Sequence, residues 1–457
     1  MRIRAVLALA AIGAVVGGAV ALGSVQERAP LSAVPPETRS GAWYCPHGGG
    51  SGWRVDVVVA NPETHPVSIR VTTFSEEGTG TPHDYEVPPQ SDLRVSVKAG
   101  TRGAASEVEY FEGWVGASWA ARAGGGESGL DAEPCASTLA RTWLMPDGTT
   151  LRGNDAWIVV MNPTAAPAIF GVRLATEGET IVTKDWADFV LPPRRSTAFF
   201  LNRNALGRES VAAEVHVDAG RVAAASLGTS RSGGIRAALG ITGAERDAFL
   251  PGGQDVGRTT LVIDDAGTRQ ATYRGAVETP TGPQIVGQLR NETLQAGQAK
   301  SYDLTTEPDA AIDVTLSTGD GFAVVRRSFG RGADMASTAG AAPARAWVVA
   351  GAVFGHKDGW RLVIANPGRA DAMVELVPLP APGATHAAGT RKVLVSAGTT
   401  HVVVARFTRK DPRGAVLVAS TGEPVVPLAT SFARADMGFA MAVGEPIPGR
   451  LIGQILP

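Results

Sequence analysis

Two pairs of adjacent carboxylates, Glu76-Glu77 and Asp264-Asp265, are residues whose types and spacing could support chemistry. Paired carboxylates act as acid and base in glycoside hydrolysis, and with backbone carbonyls they bind calcium. Glu76-Glu77 stands directly before Gly78, which predicts the tip of a hairpin. Asp264-Asp265 follows a short apolar run, where an aspartate is expected to bond nearby backbone at a strand end. We therefore predict neither a catalytic pair nor a metal site.

The histidines are dispersed, and none has the spacing of a metal site or of a catalytic triad. The chain also has no G-x-S-x-G nucleophile elbow, no phosphate-binding loop, and no G-x-G-x-x-G that opens a helix. These observations predict a protein that is not an enzyme and needs no cofactor. The histidines are His47, His65, His83, His216, His356, His386 and His401.

Six of the tryptophans could provide flat aromatic faces of the kind that stack on sugars. Trp43, Trp143 and Trp347 recur at one position of a repeat, which favours a role in the core or between modules. The others do not recur, and this makes them the better candidates for ligand contact. They are Trp53, Trp114 and Trp119.

A repeat of about 100 residues must position these groups. Asn61, Asn162 and Asn366 each end an apolar run and precede a proline, and Asp265 stands where the fourth member is expected. This period matches a small domain rather than a solenoid unit. We predict that the four polar residues occupy one structural position at the end of equivalent strands.

Each repeat contains roughly six or seven short β-branched runs separated by turns, which is typical of an immunoglobulin-like β-sandwich. The predicted fold class is all-β, with tandem immunoglobulin-like β-sandwich modules after an N-terminal transmembrane or signal helix. The predicted organisation is residues 1–30 as signal anchor or signal peptide, 31–41 as linker, 42–124 as sandwich 1, 142–240 as sandwich 2, 247–330 as a degenerate sandwich 3 and 346–457 as sandwich 4.

Residues 5–25 form an uncharged apolar run behind Arg2 and Arg4. The run is long enough to cross a bilayer core of about 30 Å, and the arginines place the N-terminus inside. We expect a single-pass membrane anchor with an extracellular C-terminal region. Secretion after signal cleavage at the A-x-A sequence 19–21 is the alternative. The net charge of −2 offers no basic surface for nucleic acid.

Cys45 and Cys135 are the two cysteines, and an even count in an exported chain favours a disulfide. Closing this loop stabilises module 1 by about 4 kcal/mol in the chain-entropy model. Two free thiols are the alternative. If the modules act independently, loss of the bridge destabilises module 1 and leaves module 4 largely unaffected.

Several landmarks together resemble an uncharacterised family of exported, N-terminally anchored actinobacterial proteins built of tandem β-sandwich repeats. The family is classed as a domain of unknown function, so the resemblance implies export and an envelope setting without any catalytic residues. The landmarks, behind an N-terminal apolar segment, are Trp43-Tyr44-Cys45-Pro46, the Asn-Pro strand ends, Pro88-Pro89-x-Ser91 and Cys135-Ala136.

Three functions follow as hypotheses. The first is a non-catalytic exported cell-envelope protein, a scaffold or binding array of four repeated β-sandwiches. The second is a carbohydrate-binding array on cell-wall glycan. The third, an envelope-polymer hydrolase, requires a cleft with converging carboxylates about 5 to 10 Å apart. The expected partners are the membrane, through residues 5–25, and other envelope proteins or cell-wall glycan, with no nucleic acid.

Overall fold

Short β-branched runs that end in glycine, proline or asparagine form strands throughout the described part of the chain. The computed structural model describes residues 40–231, 234–253, 258–330, 334–351, 359–381, 389–405, 414–433 and 438–455. The run at residues 5–25, His356 and His386 lie outside these ranges. Within them, no helix is both long and apolar enough to span a bilayer. The predicted all-β class is confirmed.

The described residues divide into four modules of similar strand order, each with two antiparallel sheets. Module 1 contains β1 (Gly41–Cys45), β2 (Arg54–Asn61), β3 (Val67–Phe74), β4 (His83–Val87), β5 (Ser91–Val97), β6 (Ala105–Phe111), β7 (Gly116–Arg122) and β8 (Leu130–Pro134). Its first sheet has the order β1-β6-β3-β4, and its second has the order β5-β2-β7-β8.

Module 2 repeats this plan with a divided outer strand. It contains β9 (Thr142–Met145), β10 (Asn154–Asn162), β11 (Ala168–Thr176), β12 (Thr180–Val182), β13 (Phe189–Leu191), β14 (Arg195–Phe200), β15 (Val211–Ala219), β16 (Ala223–Ser230) and β17 (Gly234–Leu239). The first sheet is β9-β15-β11-β12, with β13 also paired to β11, and the second is β14-β10-β16-β17. Short 3-10 helices lie at Lys184–Trp186 and Leu201–Arg203.

Module 3 has the same divided outer strand. It contains β18 (Asp247–Leu250), β19 (Arg258–Asp264), β20 (Ala271–Thr279), β21 (Gly282–Ile285), β22 (Glu292–Leu294), β23 (Ala299–Thr305), β24 (Ala311–Thr318), β25 (Ala323–Phe329) and β26 (Met335–Ala339), with a 3-10 helix at Gly287–Leu289. Its sheets are β18-β24-β20-β21, with β22 also on β20, and β23-β19-β25-β26.

Module 4 adds a short strand and a helix after the common plan. It contains β27 (Ala346–Val349), β28 (Gly359–Asn366), β29 (Ala372–Pro380), β30 (Arg391–Val395), β31 (Thr399–Ala405), β32 (Gly414–Gly422), β33 (Val426–Ala433), β34 (Gly438–Val443), β35 (Glu445–Pro446) and the helix α1 (Gly449–Ile455). Its sheets are β30-β29-β32-β27-β35 and β31-β28-β33-β34.

The two sheets of a module contribute to a common core. In module 1, Val67, Ile69 and Val71 of the first sheet and Val57 and Trp119 of the second belong to one cluster of buried side chains. The first three lie two residues apart, so they project from the same face of β3, as the period of a strand requires.

In each module, the last strand of the second sheet lies at a common axis of the four modules. β8 packs on β17 and β34, and β26 packs on the same two strands. Asp334, directly before β26, lies beside Gly129 and Gly234 and accepts a 2.6 Å hydrogen bond from Phe439 N, so the starts of the four strands are close together. Their ends line one cavity. The four axial strands therefore run in the same direction, as the inner strands of propeller blades do.

In each module, the strand at the opposite edge of the second sheet lies against the preceding module. β23 contacts β11, β31 contacts β20, and the backbone N of Ser196 in β14 donates to Ser75 O, next to β3. β5 of module 1 contacts β29 and β32 of module 4 in the same way, which closes a ring. Both edges of each second sheet are thus covered, and this protects strand edges that would otherwise promote aggregation.

Modules 1 and 4 share buried apolar surface where the ring closes. Val95 of β5 belongs to the same cluster as Leu379 and Leu417 of module 4 and as Leu451 and Ile455 of α1. Because of this shared surface, we expect modules 1 and 4 to affect each other's stability, in contrast to the independence predicted for a string of domains. The ring buries the edge of module 1 that a string would leave in water.

Two axial strands, β8 and β26, lie in segments that the sequence analysis leaves between modules, after residues 124 and 330. The sequences Leu-Asp-Ala-Glu-Pro and Met-Ala-Ser-Thr-Ala have little of the β-branched character that indicates a strand. They are strands here because the adjacent strand of their own sheet and the neighbouring modules bury them.

Candidate functional site

The ends of the four axial strands surround a cavity of about 130 Å³, the axial cavity. Its wall consists of residues that end or follow β8, β17, β26 and β34, together with Trp143 of β9. Ser137, Thr138 and Thr242 are partly exposed and lie at its rim. Because all four modules contribute to the wall, the cavity depends on the closed ring.

Two glutamates line the axial cavity, Glu133 at the end of β8 and Glu445 in β35. Glu133 Oε2 accepts a 3.1 Å hydrogen bond from Leu239 N, whereas Glu133 Oε1 and Glu445 Oε1 are buried without a hydrogen-bond partner. Burial raises the pKa of both carboxyls well above the usual range, and the charges of Asp147 and Glu445 add to the effect on Glu133. The site thus favours the protonated acids unless a cation accompanies them.

The axial cavity is too small for a polymer substrate. Clefts that bind drug-sized ligands have volumes of about 300 to 1,000 Å³, and a glycan chain needs more room than one such ligand. The two glutamates therefore do not lie in a cleft that could admit an envelope polymer.

Two aspartates farther along the axis join neighbouring modules. Asp131 accepts hydrogen bonds from Ala237 N of β17 and from Ala132 N, and Asp334 accepts from Phe439 N of β34 and Met335 N. Burial raises the pKa of Asp131 well above its usual value and that of Asp334 to about 8. Each axial strand is the edge strand of its sheet, so some of its backbone N–H groups have no partner within that sheet. The two carboxyls accept hydrogen bonds from such N–H groups and thereby satisfy buried donors.

A buried ion cluster links modules 2 and 3 close to the axis. Asp147, in the opening turn of module 2, pairs with Arg327 of β25 and with Arg236 of β17, whose Nε lies 3.4 Å from Oδ2. Although burial raises it, the pKa of Asp147 lies below its usual value because of the two arginines. Burial also lowers the pKa of Arg236 to about 10. Removing one member would leave an uncompensated buried charge, which is strongly destabilising.

His47 takes the place of Asp147 in module 1, one repeat earlier in the chain. The side chain is buried, its Nε2 lies 2.9 Å from Ser106 Oγ, and its Nδ1 lies 2.6 Å from Gly48 O. Burial lowers the pKa of His47 to about 4, so the imidazole is neutral at physiological pH. His47 is therefore a core residue with satisfied ring nitrogens.

The three tryptophans predicted as ligand contacts are buried, with 8% of Trp53 and 1% each of Trp114 and Trp119 exposed. Stacking on a sugar needs an exposed ring face, so burial argues against that role. Trp53 Nε1 donates to Glu127 Oε2 (2.7 Å), and the Arg102 guanidinium lies over both Trp53 and Trp157 of module 2. Trp53 thus belongs to the contact between modules 1 and 2.

The recurring tryptophans make one recurring hydrogen bond. Trp43 Nε1 donates to Val115 O (2.7 Å), Trp143 Nε1 to Val222 O (2.8 Å), and Trp347 Nε1 to Val425 O (2.8 Å). Each acceptor lies directly before the strand that pairs with the axial strand. The corresponding place in module 3 is Ala248, which pairs with Val314 of β24 as Trp143 pairs with Val215 of β15, so module 3 has no indole N–H to donate there.

The Asn-Pro asparagines each tie a strand end to two loops. The side-chain NH₂ of Asn162 donates to Ala166 O, Leu191 O and Pro192 O, and its Oδ1 accepts from Thr164 N. Asn61 makes the same set of bonds, and Asn366 bonds Ala370 O, Val395 O and Gly368 N.

Asp265 follows β19 directly, and its Oδ1 accepts from Gly267 N, the same relation in sequence as Asn162 to Thr164. Its Oδ2 accepts from Ala271 N instead of facing a carbonyl, because a carboxylate has no donor. Module 3 therefore keeps the acceptor half of the asparagine interaction and changes the other half.

The predicted disulfide is confirmed between Cys45 and Cys135. Cys135 directly follows the axial strand β8. In modules 2 and 4 a glycine takes this place after β17 and β34, and it lies close to the residue that corresponds to Cys45. A Cβ on Gly240 would lie 3.2 Å from Met145 Cγ, and one on Gly444 would lie 2.9 Å from Val349 Cγ2. The disulfide therefore joins two positions that already touch in modules 2 and 4.

Sequence reasoning missed the buried charged residues at the axis, which are Asp131, Glu133, Asp147, Arg236, Asp334 and Glu445. The one signal that points to them is charge within a short apolar segment after a glycine, as in Leu130-Asp131-Ala132-Glu133 after Gly129. Since buried charges are rare unless paired, such a pattern is usually interpreted as a solvent-exposed loop. Within the described residues, no cluster of three or more histidine, cysteine, aspartate or glutamate side chains is arranged to bind a metal.

Part of the chain is similar to a known protein family. A search of curated proteins finds no match. Residues 103–325 match a family described as "Family of unknown function (DUF5719)". The matched segment covers all of module 2 and parts of modules 1 and 3. The chain is thus similar, over this segment, to an uncharacterised family, in line with the resemblance noted from its landmarks.

Proposed function

We propose that this chain is a non-catalytic, exported cell-envelope protein whose four modules form one rigid binding hub, that is, a single body that contacts several partners. The observation that carries the proposal is ring closure: β5 of module 1 lies on module 4 as β23 lies on module 2. A closed ring fixes the directions of four sets of outer loops, which suits simultaneous contacts with envelope components.

Two further features support a hub of immunoglobulin-like sandwiches. Each module combines two antiparallel sheets around one core, as sandwich domains do. Each module also exposes an apolar side chain on the outer edge of its first sheet, and such residues are available to a partner. They are Tyr85, Val182, Ile285 and Leu394.

Export is supported by the disulfide, since such bonds persist in oxidising compartments. The apolar run at residues 5–25 would direct export, either as a retained anchor or as a cleaved signal. The resemblance to exported actinobacterial proteins agrees with this location. Burial of Trp53, Trp114 and Trp119 makes a glycan-binding array less well supported.

The location can be tested with an epitope tag and a protease site added after Pro457 in full-length protein. Protease added to intact spheroplasts should remove the tag, while the same tag on a cytoplasmic protein stays intact. Protection of the tag would contradict export.

The hub role can be tested by crosslinking in intact cells followed by purification of the tagged chain. Envelope components recovered with wild-type protein should be lost when Tyr85, Val182, Ile285 and Leu394 are all changed to lysine. Leu206→Lys is the matched control, because Leu206 is 77% exposed but lies outside the strands. Equal recovery with the fourfold variant, or no component with wild type, would contradict the hub.

A further inference from the structure

The axial cavity combines a small volume with two acids, each of which has one buried oxygen without a hydrogen-bond partner. Glu133 is 1% exposed, and its Oε1 has no hydrogen-bond partner although the opposite oxygen is bonded to Leu239 N. Buried carboxyl oxygens without partners are rare in folded proteins, and each calls for a physical reason. Glu445, on the wall contributed by module 4, is partly exposed as a residue, but its Oε1 is likewise buried without a hydrogen-bond partner.

The ionisable side chains of the cavity wall are both acids. Among the described residues that line it, Glu133 and Glu445 are the ionisable groups, and no lysine, arginine or histidine accompanies them. Arg236, a buried arginine of β17, pairs with Asp147 rather than with either glutamate. A positively charged ligand would therefore supply the charge that the two carboxylates lack.

The remainder of the wall favours an organic cation over a metal ion. Trp143, Leu239, Ile241 and Val443 give the cavity apolar surface, and Thr338 adds a hydroxyl. Calcium takes six to eight oxygen ligands, roughly, and two glutamates supply few of them. An engineered apolar cavity of about 150 Å³ accommodates benzene, so about 130 Å³ is enough for a short alkyl chain with its head group.

We propose that the axial cavity binds a small primary ammonium compound, with the ammonium group between Glu133 and Glu445 and its alkyl body against the apolar wall. An ammonium group has three donors, which match the two unpartnered carboxyl oxygens and a hydroxyl. Occupation would link modules 1 and 4 across the axis, since Glu133 belongs to the first and Glu445 to the second. The inference concerns ligand chemistry and is independent of export.

The direct test is isothermal titration calorimetry of the full-length protein in mild detergent with n-butylammonium chloride. Butan-1-ol, which has the same alkyl chain without the charge, is the ligand control. We expect saturable binding of the ammonium compound and none of the alcohol. We also expect proton release, seen as a difference in binding enthalpy between phosphate and MOPS buffers near pH 7, because protonated glutamates must ionise.

Two variants and one matched control locate the binding. Glu133→Gln and Glu445→Gln preserve shape and should each weaken binding roughly thirtyfold or more, as expected when one member of a buried charge pair is removed. Glu245→Gln should bind as wild type, because Glu245 is another buried glutamate with unpartnered oxygens that does not line the cavity.

Three outcomes would overturn the proposal. They are equal binding of butan-1-ol, wild-type affinity in both cavity variants, and saturable calcium binding that depends on the two glutamates while n-butylammonium does not bind. The export test described above is unaffected by any of them, so failure of one proposal is distinguishable from failure of the other.

Discussion

At the residue scale, the repeat conserves positions of hydrogen bonds more closely than residue types. Asn162 donates to carbonyls and accepts an N–H, whereas Asp265 accepts two N–H groups. His47 and Asp147 occupy equivalent turns, one as a neutral ring and the other as a paired carboxylate. Substitution between repeats is therefore tolerated when the surrounding donors and acceptors change with the residue.

The asparagine position gives the first prediction. Asn162→Asp should lower the free energy of unfolding by about 2 kcal/mol or more, because its carboxylate would face the carbonyls of Leu191 and Pro192 and leave them without a donor. Asp265→Asn should also lower the free energy of unfolding. The amide NH₂ of the new asparagine is a donor and would face another donor, the backbone N–H of Ala271 or of Gly267. Urea unfolding measures both effects, and Asn204→Ala, at a partly exposed asparagine, serves as the control. A neutral effect of both swaps would show that the two sites are interchangeable.

Asp334 gives a second prediction, on pH. Burial raises its pKa from the usual 3.8 to about 8, against the effect of hydrogen bonds from Phe439 N and Met335 N. Between these values the folded protein keeps a proton that the unfolded chain releases, so the free energy of unfolding falls as pH rises from about 4 to about 8. Asp334→Asn removes this titration.

The melting temperature of Asp334→Asn should therefore vary less between about pH 5 and about pH 9 than that of wild type. Asp131, Glu133 and Glu445 shift in the same direction, so part of the slope remains. An unchanged slope would mean that Asp334 does not titrate in this interval.

At the element scale, strands with a strong pattern could be predicted and axial strands could not. β3 alternates buried and exposed residues, and β2 contains the apolar run 57–60 directly before Asn61, so both are recognisable locally. β8 and β26 become strands through contacts with other modules, which no local pattern records. The same reason explains why the axial cavity and its glutamates were missed: their burial is a property of four modules together.

The glycine after each axial strand leads to a third prediction. The spatial relation of Cys45 to Cys135 recurs at Val349 and Gly444, where a Cβ on residue 444 would lie 2.9 Å from the Cγ2 that a cysteine sulfur would replace. This is close to the distance of about 3 Å between a Cβ and the opposite sulfur in a disulfide. The double variant Val349→Cys, Gly444→Cys should form a second disulfide.

Peptide mapping of the non-reduced protein would detect the new bridge between residues 349 and 444, and the native bridge serves as the internal control. The single variant Gly444→Cys should remain a free thiol and be less stable, because its side chain also approaches Trp347 Cβ. Two alkylatable thiols in the folded double variant would contradict the proposed equivalence of the modules.

At the scale of the whole molecule, the ring makes each module part of its neighbours' stability. The second sheet of every module has one edge at the axis and the other on the preceding module. Carboxylates at the axis bond backbone N–H groups of the next module, as Asp131 does to Ala237. The chain therefore has few surfaces where a module could be removed without exposing apolar side chains or buried charges.

The final prediction concerns this dependence. A chain that ends before residue 344 lacks module 4, which uncovers β5 and leaves Val95 of the shared cluster without Leu379 and Leu417. Glu133 and Asp334 would lose their counterparts on β35 and β34 as well. We expect a lower melting temperature than that of the full chain and faster hydrogen exchange in β5 and β8, although both strands belong to the retained module 1. A chain that ends after Pro448 loses only α1, with Leu451 and Ile455, and should show a smaller change. If the modules were independent, the shortened chain would instead keep the full-length melting temperature and the full-length protection of β5, and the ring would then be a contact of little energetic consequence.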